Sequence, residues 1–380
     1  MYQSRRAPLG VIAGVGVLAA LTACGNGDQV APGAVGGPIT VEATDTACAV
    51  TANTANAGNV TFEINNKGTK MTEFYLYAEG DEIMGEAENI APGLNRRLIV
   101  DLPNTGKYQT ACKPGRTSDG IRADFTVTGG TAKQADTFAL KAQVAKSYAE
   151  YVSTNATALQ EETGKFVAVV KAGKVDEAKV QYARARVYYE RIEPVAAKFG
   201  ALDPLVDARA ADLKAGEQFT GFHRLEKDLW KTGLQPDSSQ IADKLLANVK
   251  ELSAKSTALG LTALDVANGA KSLMDEVATG KITGEEEAFS HTDLWDFQGN
   301  LDGAKAAINS LRPMLQGKDA AIMSTLDNEF DNVQALLTKQ AAGDGFKPYT
   351  ALSQDQIKEF ASAVDALAEP LSKVSQVVAR

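Results

Sequence analysis

Only two histidines occur in the 380 residues, His223 and His291, and that scarcity bounds the metal chemistry open to the chain. A site built on three imidazoles is excluded, as is any imidazole ligand in the first half. His223 stands three residues before Glu226. Phe219, Phe222, Glu226 and Leu229 follow the three-to-four spacing of one helix face, with His223 and Trp230 beside them on the stripe. The His223 and Glu226 side chains are therefore expected to project together from an apolar face. Burying a carboxylate without a partner costs several kcal/mol, so Glu226 needs a cation, a metal or a proton. A Glu/His pair at this spacing on an inward face is how helix bundles assemble iron sites. A hydrogen-bonded structural pair, or Arg224 or Lys227 as the partner, is the other reading.

Further candidates lie where helical stripes meet polar residues. The run Val175, Ala178, Tyr182, Ala185, Tyr189, Ile192, Ala196 and Phe199 predicts one amphipathic helix, kinked at Pro194. Glu193, beside that stripe, could offer a second carboxylate to the metal or merely pair with a basic residue. Asp293 also reads as part of a capping box, Ser290-x-x-Asp293, that starts a helix at about Thr292. Asp296, one turn further in, is the freer carboxylate, and His291 sits at the helix entrance as a surface or supporting residue. Residues Glu285, Glu286 and Glu287 read as a solvated helix start that suits the positive end of the dipole. In the first half, Glu73, Glu86 and Glu88 with Cys48 and Cys112 could form an auxiliary copper or iron site. Carboxylates there suit a hard ferric ion and thiolates suit Cu(I), whereas a Cys48–Cys112 disulfide, expected in an oxidising compartment, would remove both thiolates.

The elements that must position these residues fall in two regions. From Ile39 to about Thr128, short alternating runs bounded by turn signals predict a small antiparallel β-sandwich. From Ala132 to the C-terminus the apolar period is that of helices, at roughly 133–171, 175–199, 237–258, 285–318, 320–341 and 353–378, a bundle of more than four helices. Ahead of both, Arg5 and Arg6 precede the apolar stretch Leu9–Leu21, which ends in Leu21-Thr22-Ala23-Cys24-Gly25. This reads as a secretory signal too short to span a membrane. The Cys24 context resembles a bacterial lipobox, which implies cleavage before Cys24 and acylation of its thiol, with Sec or Tat export both open. The organisation expected is a signal peptide at 1–23, a Gly- and Pro-rich tether at 24–38, a β domain at 39–130 and a helical domain at 131–380.

The formal charge of -9 grows two units more negative once Arg5 and Arg6 leave, which disfavours a nucleic-acid partner.

Two resemblances sharpen the expectations. Gly106-Lys107-Tyr108-Gln109-Thr110-Ala111-Cys112-Lys113-Pro114-Gly115, followed by Ile121 to Val127, resembles the last two strands of a cupredoxin, whose loop cysteine ligates copper with two histidines. With no histidine in this region, the fold is implied and a blue-copper site is not. Gly221-Phe222-His223-Arg224-Leu225-Glu226 matches the G-x-H-x-x-E motif of the imelysin-like family. Tyr188 to Pro194, Ser290 to Phe297 and Glu86 to Gly93 resemble segments of its EfeO-type branch, the periplasmic or lipoprotein components of EfeUOB iron uptake systems. That likeness implies a cupredoxin-like β-sandwich before an all-α imelysin-like bundle. It further implies iron, Fe3+ or Fe2+, bound by His223 and Glu226. The chain would sit extracytoplasmically, lipid-anchored or periplasmic, and deliver iron to an EfeU-type membrane permease, with an EfeB-type haem peroxidase as a further partner. On this reading the chain is not an enzyme. The alternatives are a metallopeptidase, opposed by Lys227 standing where H-E-x-x-H has its second histidine, and a ferroxidase or reductase acting through the cupredoxin-like domain, with copper as the metal that domain could hold.

Overall fold

The computed structural model describes residues 37–116, 119–129, 135–213 and 216–380. The expectations for the signal at 1–23, for Cys24 and for most of the tether lie outside those residues. Strands come first: β1 (Ile39–Ala43), β2 (Cys48–Val50), β3 (Thr54–Asn56), β4 (Gly58–Asn66), β5 (Thr72–Tyr77), β6 (Ile83–Ile90), β7 (Asn95–Leu102), β8 (Gly106–Cys112) and β9 (Ile121–Thr128). They form two sheets, ordered β2-β1-β4-β7 and β3-β9-β8-β5-β6. Alternation sets the inward faces: Val60, Phe62 and Ile64 of β4 are buried against Phe74, Leu76 and Phe125 of the other sheet. The sandwich is mixed rather than wholly antiparallel, because β1 pairs with β4 and β3 with β9 in parallel.

Cys48, on the first sheet, and Cys112, on the second, are joined by a disulfide across 64 positions of sequence. Closing a loop of that length removes enough unfolded-chain entropy to stabilise by about 4 kcal/mol. The double variant Cys48→Ser/Cys112→Ser is expected to lose about that much in urea unfolding followed by a probe of the sandwich. A shift under about 1 kcal/mol would mean that residual structure already restricts the unfolded chain, so that the cross-link removes little further entropy.

Helices follow: α1 (Ala135–Lys171), α2 (Val175–Ile192), α3 (Leu202–Asp207), α4 (Gly221–Lys227), α5 (Ser238–Ser256), α6 (Ala263–Thr279), α7 (Asp293–Lys318), α8 (Ala320–Thr338) and α9 (Gln354–Ala379). They share one apolar core, to which α2 gives Tyr182, Tyr189 and Ile192 and α4 gives Phe222 and Leu225. Reciprocal capping boxes start α6 (Thr262 with Asp265) and α9 (Ser353 with Gln356). The kink expected at Pro194 is present: α2 stops at Ile192, Glu193–Phe199 continues in the tighter 3₁₀ form, and the path bends at Val195 (φ -128°, ψ 20°), the residue after the proline. One expectation is corrected. The helix expected from 285 begins only at Asp293, after Gly284 turns the chain at φ 76°. The helix α6 was not anticipated.

The sandwich lies against the bundle. Ile99 of β7 belongs to the helical core, and Asn268 of α6 donates to its carbonyl at 2.7 Å. Lys198 donates to the Ile83 carbonyl at 3.0 Å, and Arg96 reaches Asp275 at 3.4 Å.

Candidate metal centre

The H-x-x-E helix is short, and its start explains the glycine of the motif. Gly221 has φ 79°, and a Cβ there would run into the Val206 carbonyl, so α4 can press its first turn onto α3 only with glycine. That contact brings His223 beside Asp207 at the end of α3. At its other end α4 passes into a π-turn, Asp228–Thr232, where buried Asp228 is held by Arg224 and by Ser238 Oγ at 2.7 Å.

His223 is 2% exposed and meets carboxylates through both ring nitrogens. Nδ1 lies 3.3 Å from Glu226 Oε2, while Nε2 lies 3.6 Å from Glu286 Oε1 and 3.7 Å from Asp207 Oδ1. Those last separations exceed a hydrogen bond, and among the described residues the buried Nε2 has no hydrogen-bond partner. Glu226 is pinned through Oε1, which accepts from the Phe289 and Ser290 amides at 2.8 and 2.7 Å. Glu287 accepts from the Tyr182 hydroxyl at 3.1 Å and from Ser290 Oγ at 2.7 Å. Among the described residues, the donor groups close enough to share an ion both centre on His223: one with Asp207 and Glu286, the other with Glu226 and Glu287.

A second layer consists of buried cations that sequence reading missed. Arg186, wholly buried on α2, contacts Glu190 at 2.6 Å, Glu287 at 2.5 Å, Glu286 at 3.0 Å, Asp296 at 3.4 Å and also Asp207. Lys281, also wholly buried, reaches Glu190 at 2.8 Å and both oxygens of Glu193 at 2.7 Å. Gly299 of α7 lets that helix approach α2 closely, since a Cβ there would meet Glu190 Cβ. Arg186 and Glu190 do leave a trace in the sequence, an Arg/Glu pair four apart beside the apolar positions Ala185 and Tyr189. Lys281, Asp207 and Glu286 leave none.

The expected site residues fall as follows. His223 and Glu226 come together. Glu193 sits on Lys281 and Asn300 rather than beside the imidazole, so the expectation that it reaches the His223 cluster is corrected. Asp296 is buried next to Arg186, and its Oδ2 has no hydrogen-bond partner among the described residues. Asp293 accepts from the Glu287 amide at 3.2 Å, and Thr292, which precedes α7, makes no side-chain cap, so the expected box is absent. His291 takes a left-handed conformation, φ 58°, and is half-buried outside the donor groups. The expectation of a solvated Glu286 and Glu287 is corrected: both are buried, drawn inward by Arg186, and no helix forms there.

Electrostatics divides these groups. Burial and the charge of Arg186 work against protonated His223, but the carboxylates of Glu226, Glu286 and Glu287 outweigh them and raise it to about 10. Burial, then the charge of Glu226, raises Glu287 to about 8 despite Arg186. Burial, then Glu287, pushes Asp296 well above the usual carboxylate range. Glu190 goes the other way: Lys281 and Arg186 overcome burial and hold it at about 2. The carboxylates packed here outnumber Arg186, Lys281 and Arg209, so the enclosure favours any added positive charge, proton or metal.

The auxiliary site expected in the sandwich is corrected in its donors. Cys112 pairs with Phe74 and faces the sandwich core, and its sulfur is in the disulfide with Cys48. Glu73, Tyr75, Glu86 and Glu88 occupy the opposite face of the same sheet, because side chains alternate along β5 and β6. There the Tyr75 hydroxyl lies 2.7 Å from Glu88 and 3.2 Å from Glu73. Burial, then Glu73, raises Glu88 to about 7. Any ion on that face would find oxygen donors, not thiolates.

The imelysin family (peptidase M75) matches residues 144–374, and the cupredoxin-like domain family matches residues 14–127. The "Iron uptake system component EfeO" of Escherichia coli O157:H7 is 35% identical over 346 residues, which is 90% of this chain and 91% of that protein. The protein of the same name from Shigella flexneri aligns with the same identity and coverage. A crystal structure of dithionite-reduced auracyanin from Roseiflexus castenholzii covers 25% of this chain at 17% identity and a TM-score of 0.22, too low to bear on the fold.

Proposed function

The chain belongs to the imelysin family, as an EfeO-type protein with a cupredoxin-like domain ahead of its imelysin domain, and from that membership we propose that it captures iron at His223 for an extracytoplasmic uptake system. The observation that carries this reading is the unpartnered, buried Nε2 of His223 among carboxylates that exceed their cations. One imidazole among carboxylate oxygens is a hard to borderline donor set, suited to iron rather than to Cu(I). The ligands proposed are His223, Glu226 and Glu287, with Asp207 and Glu286 on the Nε2 side. Lys281 holds Glu190 and Glu193, while Arg186 holds Glu190 and Asp296 and also contacts the proposed ligands Asp207, Glu286 and Glu287, which keeps the enclosure assembled without an ion. Export under residues 1–23, acylation at Cys24 and delivery to an EfeU-type permease, with an EfeB-type haem peroxidase as a further partner, complete the proposal.

Uptake then amounts to an exchange of protons for metal. Near neutral pH the metal-free site holds protons on His223, raised to about 10, and on Glu287, raised to about 8. A metal ion must displace both, so affinity rises with pH, by up to roughly 100-fold per pH unit below the Glu287 value and tenfold above it. Anaerobic titration of the mature chain with ferrous ion in weak buffer, with a pH dye and metal content by mass spectrometry, tests both parts. Stoichiometric iron with proton release supports the proposal. A chain that retains no iron contradicts it, and iron bound without pH dependence places the ion away from His223.

A further inference from the structure

Resting on that reading, we infer that Arg209 gates the ion's path to His223 and that the cupredoxin-like domain holds the gate closed. A cleft of about 430 Å³ opens between the sandwich and the bundle, lined by Glu73, Arg116, Arg209, Asp212 and Glu285. Its inner wall is the Arg209 guanidinium, 2.9 Å from Glu286 Oε2 and 2.8 Å from Asp212 Oδ2. The other oxygen of Glu286 is the one 3.6 Å from the unpartnered Nε2 of His223. Glu286 therefore spans from the cleft wall to the imidazole, and the oxygen that an arriving ion would meet first is already taken by Arg209.

The outer side of the gate belongs to the other domain. Arg116, in the turn after β8, lies 3.3 Å from Glu73 and 3.8 Å from Asp212. Asp212 thus faces both arginines, one from each domain. The acids Glu73, Asp212 and Glu285 draw a cation into the cleft, while the fixed charge of Arg209 opposes its last step, an opposition strengthened by the low local dielectric. Passage requires Arg209 to leave Glu286, and Glu285, 3.8 Å away, is an alternative partner for it. Such a swing of one side chain needs no movement of the bundle. Its consequence is kinetic: Arg209 slows both arrival and escape of the ion and changes the equilibrium constant less.

Anaerobic stopped-flow mixing of the full mature chain with ferrous ion tests this. Trp230 is a usable reporter, since its ring is 5.4 Å from that of Tyr182, whose hydroxyl bonds Glu287. Arg209→Gln is expected to speed association about tenfold and to speed dissociation in step, while Arg209→Lys, which keeps the charge, restores slow association. Arg116→Gln, on the sandwich and away from the bundle's core, is expected to move the rate in the same direction by a smaller factor, and it carries the test if Arg209→Gln does not fold. Unchanged rates in the folded variants, with ferrous ion still bound, would make Arg209 a structural bridge and overturn the gate alone. A wild-type chain that binds no ferrous ion would overturn the gate together with the iron-capture reading.

Discussion

Glu226→Gln is expected to abolish tight iron binding while leaving the fold intact. The substitution keeps an amide oxygen where Oε1 accepts from the Phe289 and Ser290 amides, so the segment before α7 stays anchored to α4. It removes the charge beside His223 Nδ1, 3.3 Å away, and with it the anionic donor. Changes in groups that merely orient ligands weaken metal sites 10- to 100-fold, so loss of a ligand charge should weaken this one by roughly 100-fold or more. His223→Ala should match it and take away the only imidazole of the cluster. Calorimetric titration with ferrous ion, beside circular dichroism of both variants, separates binding from folding. Retained affinity in either folded variant would remove the H-x-x-E helix from the site.

Arg186→Met is expected to have the opposite signature, a damaged fold before a damaged site. The guanidinium is wholly buried and meets Glu190, Asp207, Glu286, Glu287 and Asp296. Methionine fills part of the volume but leaves these acids facing one another, and removing one partner of a buried ion pair costs about 3–5 kcal/mol. The sign of the pH effect is fixed. Without Arg186 the folded-state pKa values of these carboxyls rise, so the native form binds more protons than it does with the guanidinium present and its deficit shrinks as pH falls. Urea unfolding at neutral pH and near pH 5 reads this directly, and equal losses at both would show that the damage is steric. Added iron should recover part of the stability, since an ion that binds only the native form adds RT ln(1 + [L]/Kd). Arg186→Lys should rescue only in part, because a compact ammonium cannot reach so many carboxylates at once.

Much of the architecture was legible from periodicity. Alternation over Asn59–Ile64 and Glu73–Tyr77 marked strands of the sandwich, and three-to-four spacing marked α1, α2, α5, α8 and α9. The failures have local causes. The acids at 285–287 look like a solvated helix start because the guanidinium groups that draw Glu286 and Glu287 inward are distant in sequence: Arg186 lies 100 positions before Glu286 and Arg209 lies 77 before it. Glu193 looked like a ligand because it flanks an apolar stripe, and Lys281, which holds it, follows a glycine at the end of α6 with no pattern of its own. The mixed sandwich donor set failed for a simpler reason. Cys112 and Glu73 are both near Tyr75, but the pleat puts them on opposite faces of one sheet.

What the sequence by itself determined is the pair His223 and Glu226, because a helix carries residues three apart on one face whatever surrounds it. It also determined that imidazole could supply no more than a small part of any site. The tertiary structure decided everything about charge balance: which acids join the imidazole, which are taken by Arg186 and Lys281, and which nitrogen is left without a partner. Helical periodicity is a property of neighbouring residues. The compensation of a buried charge depends on whatever distant chain is packed against it, and no local pattern encodes that.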